Sequence, residues 1–424
     1  MTGSALPKPL YRAIAGCRLC GSAALAPVLS LGEQYMTGVF PRSRAEAPTC
    51  GPLELVRCEG ADACGLVQLA HSYDHAEMYG ANYGYRSSLN SSMVRHLADK
   101  VAALRTRVQP GPDDLVVDIG SNDGTLLSNY AADGPTLVGI DPTAAKFRAF
   151  YRPDIRVLPD FFSAALLRRQ FPGRQARLVT SIAMFYDLEA PLAFASEVAD
   201  ILADDGLWHF EQSYLPTMLS TTSYDTICHE HLEYYALHQI KWITDRAGLK
   251  IVEVAFNAVN GGSFAVTVAR SRAPYPEATW QVDAVLADEA RLGLQAAATY
   301  AAFAARVVEH KRGLLALLAE LRASGKRVIG YGASTKGNVI LQYCGLTAAE
   351  IPCIAEINAD KFGCVTPGSW IPIVSEADAK AARPDYLLAL PWHFRDNLLA
   401  RERDYLAGGG KMIFPLPAIE IVEA

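Results

Sequence analysis

The chain has 424 residues, half of them hydrophobic and a fifth charged, the balance of a globular protein long enough for two or three domains. A net charge of −6 excludes a general nucleic-acid surface but leaves room for a local basic pocket. The opening MTGSALPKPLYRAI has no apolar core of the signal-peptide kind, and the Ala-rich stretch 284–323 carries too many charges (Asp288, Glu289, Arg291, Arg306 and others) to span a bilayer, so a cytoplasmic protein without membrane attachment is expected.

Residues 1–78 hold five of the nine cysteines. Cys17 and Cys20 stand in CRLCG, Cys58 and Cys64 in CEGADACG, and a glycine follows the second cysteine of each pair. Thiolates on tight turns suit one tetrahedral zinc ion with a structural role, since four thiolates leave no open position for chemistry. The C-x5-C spacing of the second pair departs from C-x2-C, and disulfides are the competing reading, which a cytosolic chain disfavours. The stretch YGANYGYRSSLNSSMVRHL (79–97) then runs from a tyrosine-rich loop, with Tyr83 and Tyr85 as site candidates, into a helix marked by Met93, Leu97, Val101 and Leu104 and capped by Ser91 or Ser92.

Residues 79–272 read as an α/β domain with a doubly wound sheet. DDLVVDIGSNDGTLL combines a buried strand, the acid Asp118 and a turn with Gly120, Asn122, Asp123 and Gly124, followed by a helix start. TLVGIDP is a second strand that ends in Asp141 and Pro142, where a carboxylate can bind both hydroxyls of a ribose. IRVLPDFF brings Asp160, Phe161 and Phe162 to the end of a third strand, poised for the edge and face of an adenine, and RLVTSIAMFYDLEAP is a fourth strand with Ala183, Met184 and Tyr186 in its loop. The turn is not G-x-G-x-x-G; its spacing resembles the S-adenosylmethionine turn of class I methyltransferases, a purely structural βαβ unit being the alternative.

GLWHFEQSY is the fifth strand, and a helix over 238–249 precedes a terminal hairpin, KIVEVAFN and GGSFAVTVAR. YDTICHEHLEYY (224–235) lies between that strand and that helix, and so at the carboxyl edge where ligands sit. It lacks the H-E-x-x-H spacing of a catalytic metal site. Of His229 and His231, one is expected to be a structural hydrogen-bonder. Residues 281–323 form one or two long helices, after which KRVIGYGASTKGNVILQYCG is strand, glycine turn and helix again. Gly332, Ala333, Ser334, Thr335, Lys336, Gly337 and Asn338 make an amide-rich anion site, with Glu356, Asn358 and Lys361 following the next strand. A second dinucleotide site is the alternative there, but no acid stands at the place it would need.

CRLCG, SNDGTLL, YDTICHEHLEYY and GYGASTKGNVILQY, in this order over nearly the whole chain, resemble the nucleotide-sugar C-methyltransferases of deoxysugar pathways, antibiotic biosynthesis among them. The resemblance implies an N-terminal zinc-binding domain, a class I Rossmann-like methyltransferase domain and a Rossmann-like α/β domain over 273–424 that holds a nucleotide-diphosphate-sugar. It further implies S-adenosylmethionine and structural zinc as cofactors, His231 as the base with Glu230 beside it, and His229, Tyr224, Tyr234 and Tyr83 as secondary groups. Tyr85, Tyr186, Cys228 and the 332–338 turn fall to the substrate. Relatives commonly keep a tyrosine where Cys228 stands, some a histidine at Tyr186, and often an asparagine at His393.

Methylating carbon needs an enolate, hence a ketone, a neutral base near pH 7 and a donor for the oxyanion. An O- or N-methyltransferase and a non-catalytic zinc-knuckle binding module are the alternatives. The sugar, its nucleotide and the oligomeric state are left open, a monomer being admissible.

Overall fold

The structure, a computed structural model, describes residues 10–79 and 83–424; the readings that fall on 1–9 and 80–82 lie outside them. Three sheets carry the architecture. The largest has seven strands in the order Leu249–Asn257, Ser263–Arg270, Leu202–Ser213, Ala176–Ile182, Leu115–Ile119, Thr136–Ile140, Arg156–Leu158. All its pairings are parallel except those of Ser263–Arg270, which runs against both neighbours. This is the class I methyltransferase arrangement, and every residue of LVVDI is buried, as a central parallel strand requires.

The helix before this sheet spans Ser91–Val108 and buries Met93, Leu97, Val101, Leu104 and Val108. Its cap is Asn90, one residue earlier than expected, whose carboxamide oxygen accepts from the Ser92 amide at 3.0 Å. The helix expected after DIGSNDG shrinks to a single 3-10 turn, Leu127–Asn129. The Asn129 carboxamide donates to the carbonyls of Thr125 and Leu126, competing with the backbone bonds that would propagate a helix.

A six-stranded sheet occupies the C-terminal third, ordered Ile373–Ser375, Ile354–Glu356, Val328–Tyr331, Tyr386–Ala389, Lys411–Phe414, Glu420–Val422, parallel except at its last pair. The order 3-2-1-4-5-6 is that of a Rossmann domain. Two helices, Thr279–Arg291 and Ala297–Ala323, join it to the larger sheet and divide near Gly293, at φ +68°. His310 on the second welds the domains: one ring nitrogen meets the Tyr224 hydroxyl at 3.1 Å and the other the Pro415 carbonyl at 2.6 Å.

The third sheet is N-terminal, and its composition was not foreseen. Leu25–Tyr35, Cys50–Cys58 and Val67–Leu69 are joined at the edge by Glu233–Tyr234, a strand from YDTICHEHLEYY itself. The Leu69 amide extends this pairing to the Leu232 carbonyl at 2.8 Å. At one end of the sheet the four sulfurs of Cys17, Cys20, Cys58 and Cys64 lie within 4.8 Å of one another. Zinc–sulfur bonds of about 2.3 Å at tetrahedral angles put sulfurs about 3.8 Å apart, so the cluster fits that ion.

The Cys17 thiolate, hydrogen-bonded by the Cys64 thiol, is drawn down to about 5, while burial and the Cys20 thiol push Cys58 up to about 12. Cys50, at the far end of its strand, is outside the cluster. The Gln239 carboxamide donates to the Cys64 carbonyl at 2.9 Å, linking the knuckle to the helix Leu237–Arg246.

Zinc therefore supports the strand that carries the HEH segment. Stripping the metal with a strong chelator, or replacing Cys58 by Ser, is expected to lower Tm by several degrees and to abolish activity. Full activity and an unchanged Tm in Cys58→Ser would show that the cluster holds nothing in place.

A second structural commitment lies beneath the cofactor edge. Glu211 is 3 % exposed and bonds His96 at 2.6 Å, Lys100 at 2.5 Å and the Asn257 carboxamide at 2.8 Å. Burial alone would raise its pKa, but the His96 hydrogen bond and the Lys100 charge outweigh that and hold it at about 2. A folded-state pKa below the unfolded one adds stability above about pH 4.5 that is lost between about 4.5 and 2. Glu211→Gln should cost about 3 kcal/mol at pH 7. Thermal melts from pH 2 to 7 should flatten in this variant; an acid limb as steep as the parent's would refute the assignment.

Candidate active site

The seven-stranded sheet, the N-terminal sheet and the Rossmann domain enclose one cavity of about 900 Å³, at the upper end of what ligand sites occupy. Its first wall is the expected turn. Asp118, Gly120, Asn122, Asp141, Pro142, Asp160, Phe161, Phe162, Ala183 and Met184 all border it. Gly120 and Gly124 both sit at φ +77°, and a Cβ on Gly124 would come within 2.6 Å of the Tyr151 ring, so glycine is required.

Asp141 accepts from the Asn122 amide at 2.8 Å with one oxygen and from the Thr143 amide and hydroxyl at 2.6 Å with the other, which fixes the carboxylate at the tip of its strand. Asp118, buried and hydrogen-bonded by Thr180 at 2.6 Å, is raised to about 7 by burial. A carboxylate, a glycine turn, a strand-end acid and exposed Phe161 are the donor set that an adenosyl amino acid needs, so S-adenosylmethionine fits.

Two expected cofactor residues do not reach the cavity. Gly124 is closed off by Tyr151, and Asp123 uses one oxygen on the Ser88 amide at 3.0 Å and the other on Thr125. Asp123 instead fastens the segment 83–90 over the turn, helped by Asn122, which accepts from Ser87 and donates to the Tyr85 carbonyl. Tyr83 and Tyr85 thereby reach the cavity wall.

The second wall is the HEH loop. His229 and Glu230 lie in a turn closed by the His231 amide, which donates to the Cys228 carbonyl at 3.1 Å, so the two histidines, which extended chain would put on one face, diverge. His229 is fully buried edge-on to Tyr73, ring centroids 4.6 Å apart, and burial lowers its pKa to about 4. It faces the N-terminal sheet. His231 lines the cavity on the other side, its ring 4.3 Å from that of Tyr186. Its Nδ1 donates to the Thr226 carbonyl at 2.8 Å, the tautomer that bond requires, which leaves the lone pair on Nε2. Burial, then the nearby Lys336 charge acting against the Thr226 bond, hold His231 at about 4, so the ring is neutral near pH 7.

Cys228 and Glu230 also border the cavity, and burial raises the pKa of both. Tyr224 does not border it: the hydroxyl is committed to His310 and the ring packs on Tyr343, so its place is between domains. Tyr234 lies in the edge strand, behind the main cavity.

The third wall is the Rossmann turn. Gly332, Ala333, Ser334, Thr335, Lys336, Glu356, Asn358 and Lys361 line the cavity, whereas Gly337 lies against Leu390 and Asn338 donates to the Thr37 carbonyl at 2.8 Å, tying the helix Thr335–Cys344 to the N-terminal sheet. Lys336 is held by the Asn260 carbonyl at 2.6 Å. Contrary to the sequence reading, an acid does stand at the tip of the second strand: Glu356 accepts from the Ala333 amide at 2.8 Å and from the Ile357 and Asn358 amides.

Residues that the sequence reading passed over are Tyr79, Arg86, Asp187 and Asn260, all on the cavity wall. Asp187, whose pKa burial lifts well above the carboxylate range, sits one residue after Tyr186. Its position in a loop at the carboxyl end of a parallel strand was the signal that could have found it.

Family models match along the chain: a zinc binding domain at residues 17–79, a methyltransferase domain at 90–254 and a C-methyltransferase C-terminal domain at 258–417. C-methyltransferase NovU of Streptomyces niveus is 32% identical over 419 residues, 98% of either protein. Among solved structures, an S-adenosylmethionine-dependent methyltransferase from Clostridium acetobutylicum is 12% identical over 42% of this chain and 92% of that one, TM-score 0.32. Magnesium protoporphyrin IX methyltransferase from Synechocystis PCC 6803, with bound SAH, is 17% identical over 44% and 90%, TM-score 0.33. The full-length relative and the three successive domain matches assign the family. The chain belongs to the S-adenosylmethionine-dependent C-methyltransferases that carry an N-terminal zinc-binding domain.

Proposed function

We propose that the enzyme methylates the carbon next to the ketone of a nucleotide-linked keto-deoxysugar, through an enolate raised by His231. The observation that carries this reading is the tautomer of His231. With Nδ1–H spent on Thr226, the free lone pair is on Nε2 of a neutral ring that borders the cavity. When bound, the cofactor supplies an electrophilic methyl group. Cavity residues from three domains hold the acceptor carbon in line with it.

His231 takes the α-proton onto Nε2. The charge that develops on the ketone oxygen meets the Lys336 ammonium, which is close enough to His231 to oppose its protonation. In a site with little water such a charge is worth far more than in solution. Glu230, whose carboxyl burial pushes above the usual range, has one oxygen without a protein partner and is suited to a sugar hydroxyl. The Tyr186 ring packs against His231 with the two planes tilted by 59°.

His231→Asn should lower kcat by about 100- to 10,000-fold while cofactor affinity stays unchanged. The same variant should stop exchange of the substrate α-proton in deuterated water without methyl donor. Exchange at the parent rate in His231→Asn, or equal methylation of sugars that lack a ketone, would refute the enolate route. The proton acceptor must be neutral, so activity is lost as pH falls through its pKa. The acid limb of kcat/KM should therefore have its midpoint near about 4 rather than at the ordinary histidine value, and a midpoint at or above 6.5 would assign the base elsewhere.

A further inference from the structure

A second cavity of about 420 Å³ adjoins the first and shares Phe40, Tyr83, Arg86 and Lys361 with it. All three domains wall it: residues 39–46 from the N-terminal domain, 83–89 and 146–147 from the methyltransferase domain, and 358–364 from the Rossmann domain. Its side chains include four cations, Arg42, Arg86, Lys146 and Lys361, against two carboxylates, Glu46 and Asp360. In a chain of net charge −6 this is a local concentration of positive charge.

We propose that this annex, and not the glycine turn of the Rossmann domain, takes the diphosphate of the substrate; the proposal rests on the nucleotide-sugar reading above. The excess of two positive charges matches a diphosphate diester, which carries about two negative ones. The Arg86 guanidinium lies over the Phe150 ring, 4.1 Å from its centroid, and its Nε is buried without a hydrogen-bond partner. A buried N–H without an acceptor is costly, and an anion in the annex would satisfy it. Lys361 is positioned by the Ala333 carbonyl at 2.8 Å and by the Phe40 ring 4.2 Å away, and Lys146 by the Tyr83 carbonyl at 2.7 Å. The Lys361 ammonium keeps further N–H donors beyond the bond that orients it.

The Rossmann turn is the competing anion site, and its own hydrogen bonds weaken it. The Ala333 amide is spent on Glu356 and the Gly337 amide on the Ser334 hydroxyl. The Glu356 carboxylate, directly behind the turn, would repel a phosphate there. With the diphosphate in the annex, the sugar points into the main cavity towards His231, and Lys336 stays free for the oxygen of the ketone. Binding then draws all three domains onto one anion.

The test is calorimetric, on the full-length zinc-loaded protein, with the five common nucleoside diphosphates and the corresponding unphosphorylated nucleosides as probes. At least one diphosphate should bind the parent protein, more weakly as salt rises. Arg86→Ala, and separately Arg42→Ala at an exposed position that cannot unfold the chain, should each raise its Kd about tenfold. Nucleoside and S-adenosylhomocysteine affinities should move less than twofold. If the diphosphate binds both variants as tightly as the parent, or only Lys336→Gln and Ser334→Ala weaken it, the annex is not the site and the glycine turn is. If no nucleoside diphosphate binds the parent protein, the nucleotide-sugar reading itself fails, and the annex proposal with it.

Discussion

The pairing of Glu233–Tyr234 with Val67–Leu69 is the constraint on which the active site depends. A polar loop between a strand and a helix would ordinarily sample many conformations, at a cost of about 1–2 kcal/mol of entropy for each residue fixed. Here the loop is made into the edge of another domain's sheet, so it inherits the order of that sheet. The turn just before Glu233–Tyr234, closed by the His231 amide on the Cys228 carbonyl at 3.1 Å, then splits HEH. His229 goes into the zinc-bearing domain against Tyr73, and His231 goes into the cavity against Tyr186. The two histidines have the same chemistry and differ in role because the turn between Cys228 and His231 sends their rings apart.

The same arrangement accounts for the electrostatics. Closing the cavity between three domains removes water from the groups around His231, and four of them shift towards the neutral form: Glu230 and Asp187 upward, His231 and Lys336 downward. A neutral imidazole is what proton abstraction needs, but one held at about 4 is a weak base in the empty site. The ligand changes that balance. In the reaction we propose, an anion at the annex, or negative charge growing on a ketone beside Lys336, would raise the affinity of His231 for a proton during the step that delivers one.

Much of this was legible in the sequence, for identifiable reasons. The LVVDI strand, the glycine turn and Asp141 have local signatures, since backbone geometry demands glycine and a parallel strand demands apolar residues on both faces. The four cysteines were legible because thiolate ligands have few alternatives. What escaped was non-local. No pattern in HLEYY announces that it will pair with VQL some 165 residues earlier, because the partner is chosen by tertiary contact. Asp123 and Asn338 looked like ligand residues from their motifs but are spent on Ser88 and Thr37. Tyr224, from the most chemically suggestive segment of all, serves a domain interface instead.

The two Rossmann-type sheets show how far one architecture can diverge. In each, an acid at the tip of the second strand accepts a hydrogen bond from an amide of the glycine turn: Asp141 from Asn122, Glu356 from Ala333. Asp141 has aromatic neighbours on the next strand, Phe161 and Phe162, and stands beside a turn with no lysine in it. Glu356 is followed by Lys361, and its turn carries Lys336. The first half therefore presents a carboxylate and ring faces, suited to a cationic cofactor with an adenine. The second presents ammonium groups to the same cavity, suited to an anionic substrate. Placing the two crevices face to face gives the proposed reaction its electrophile and its nucleophile from opposite sides, and the HEH loop, borrowed by the zinc domain, is the third wall, from which His231 faces the cavity between them.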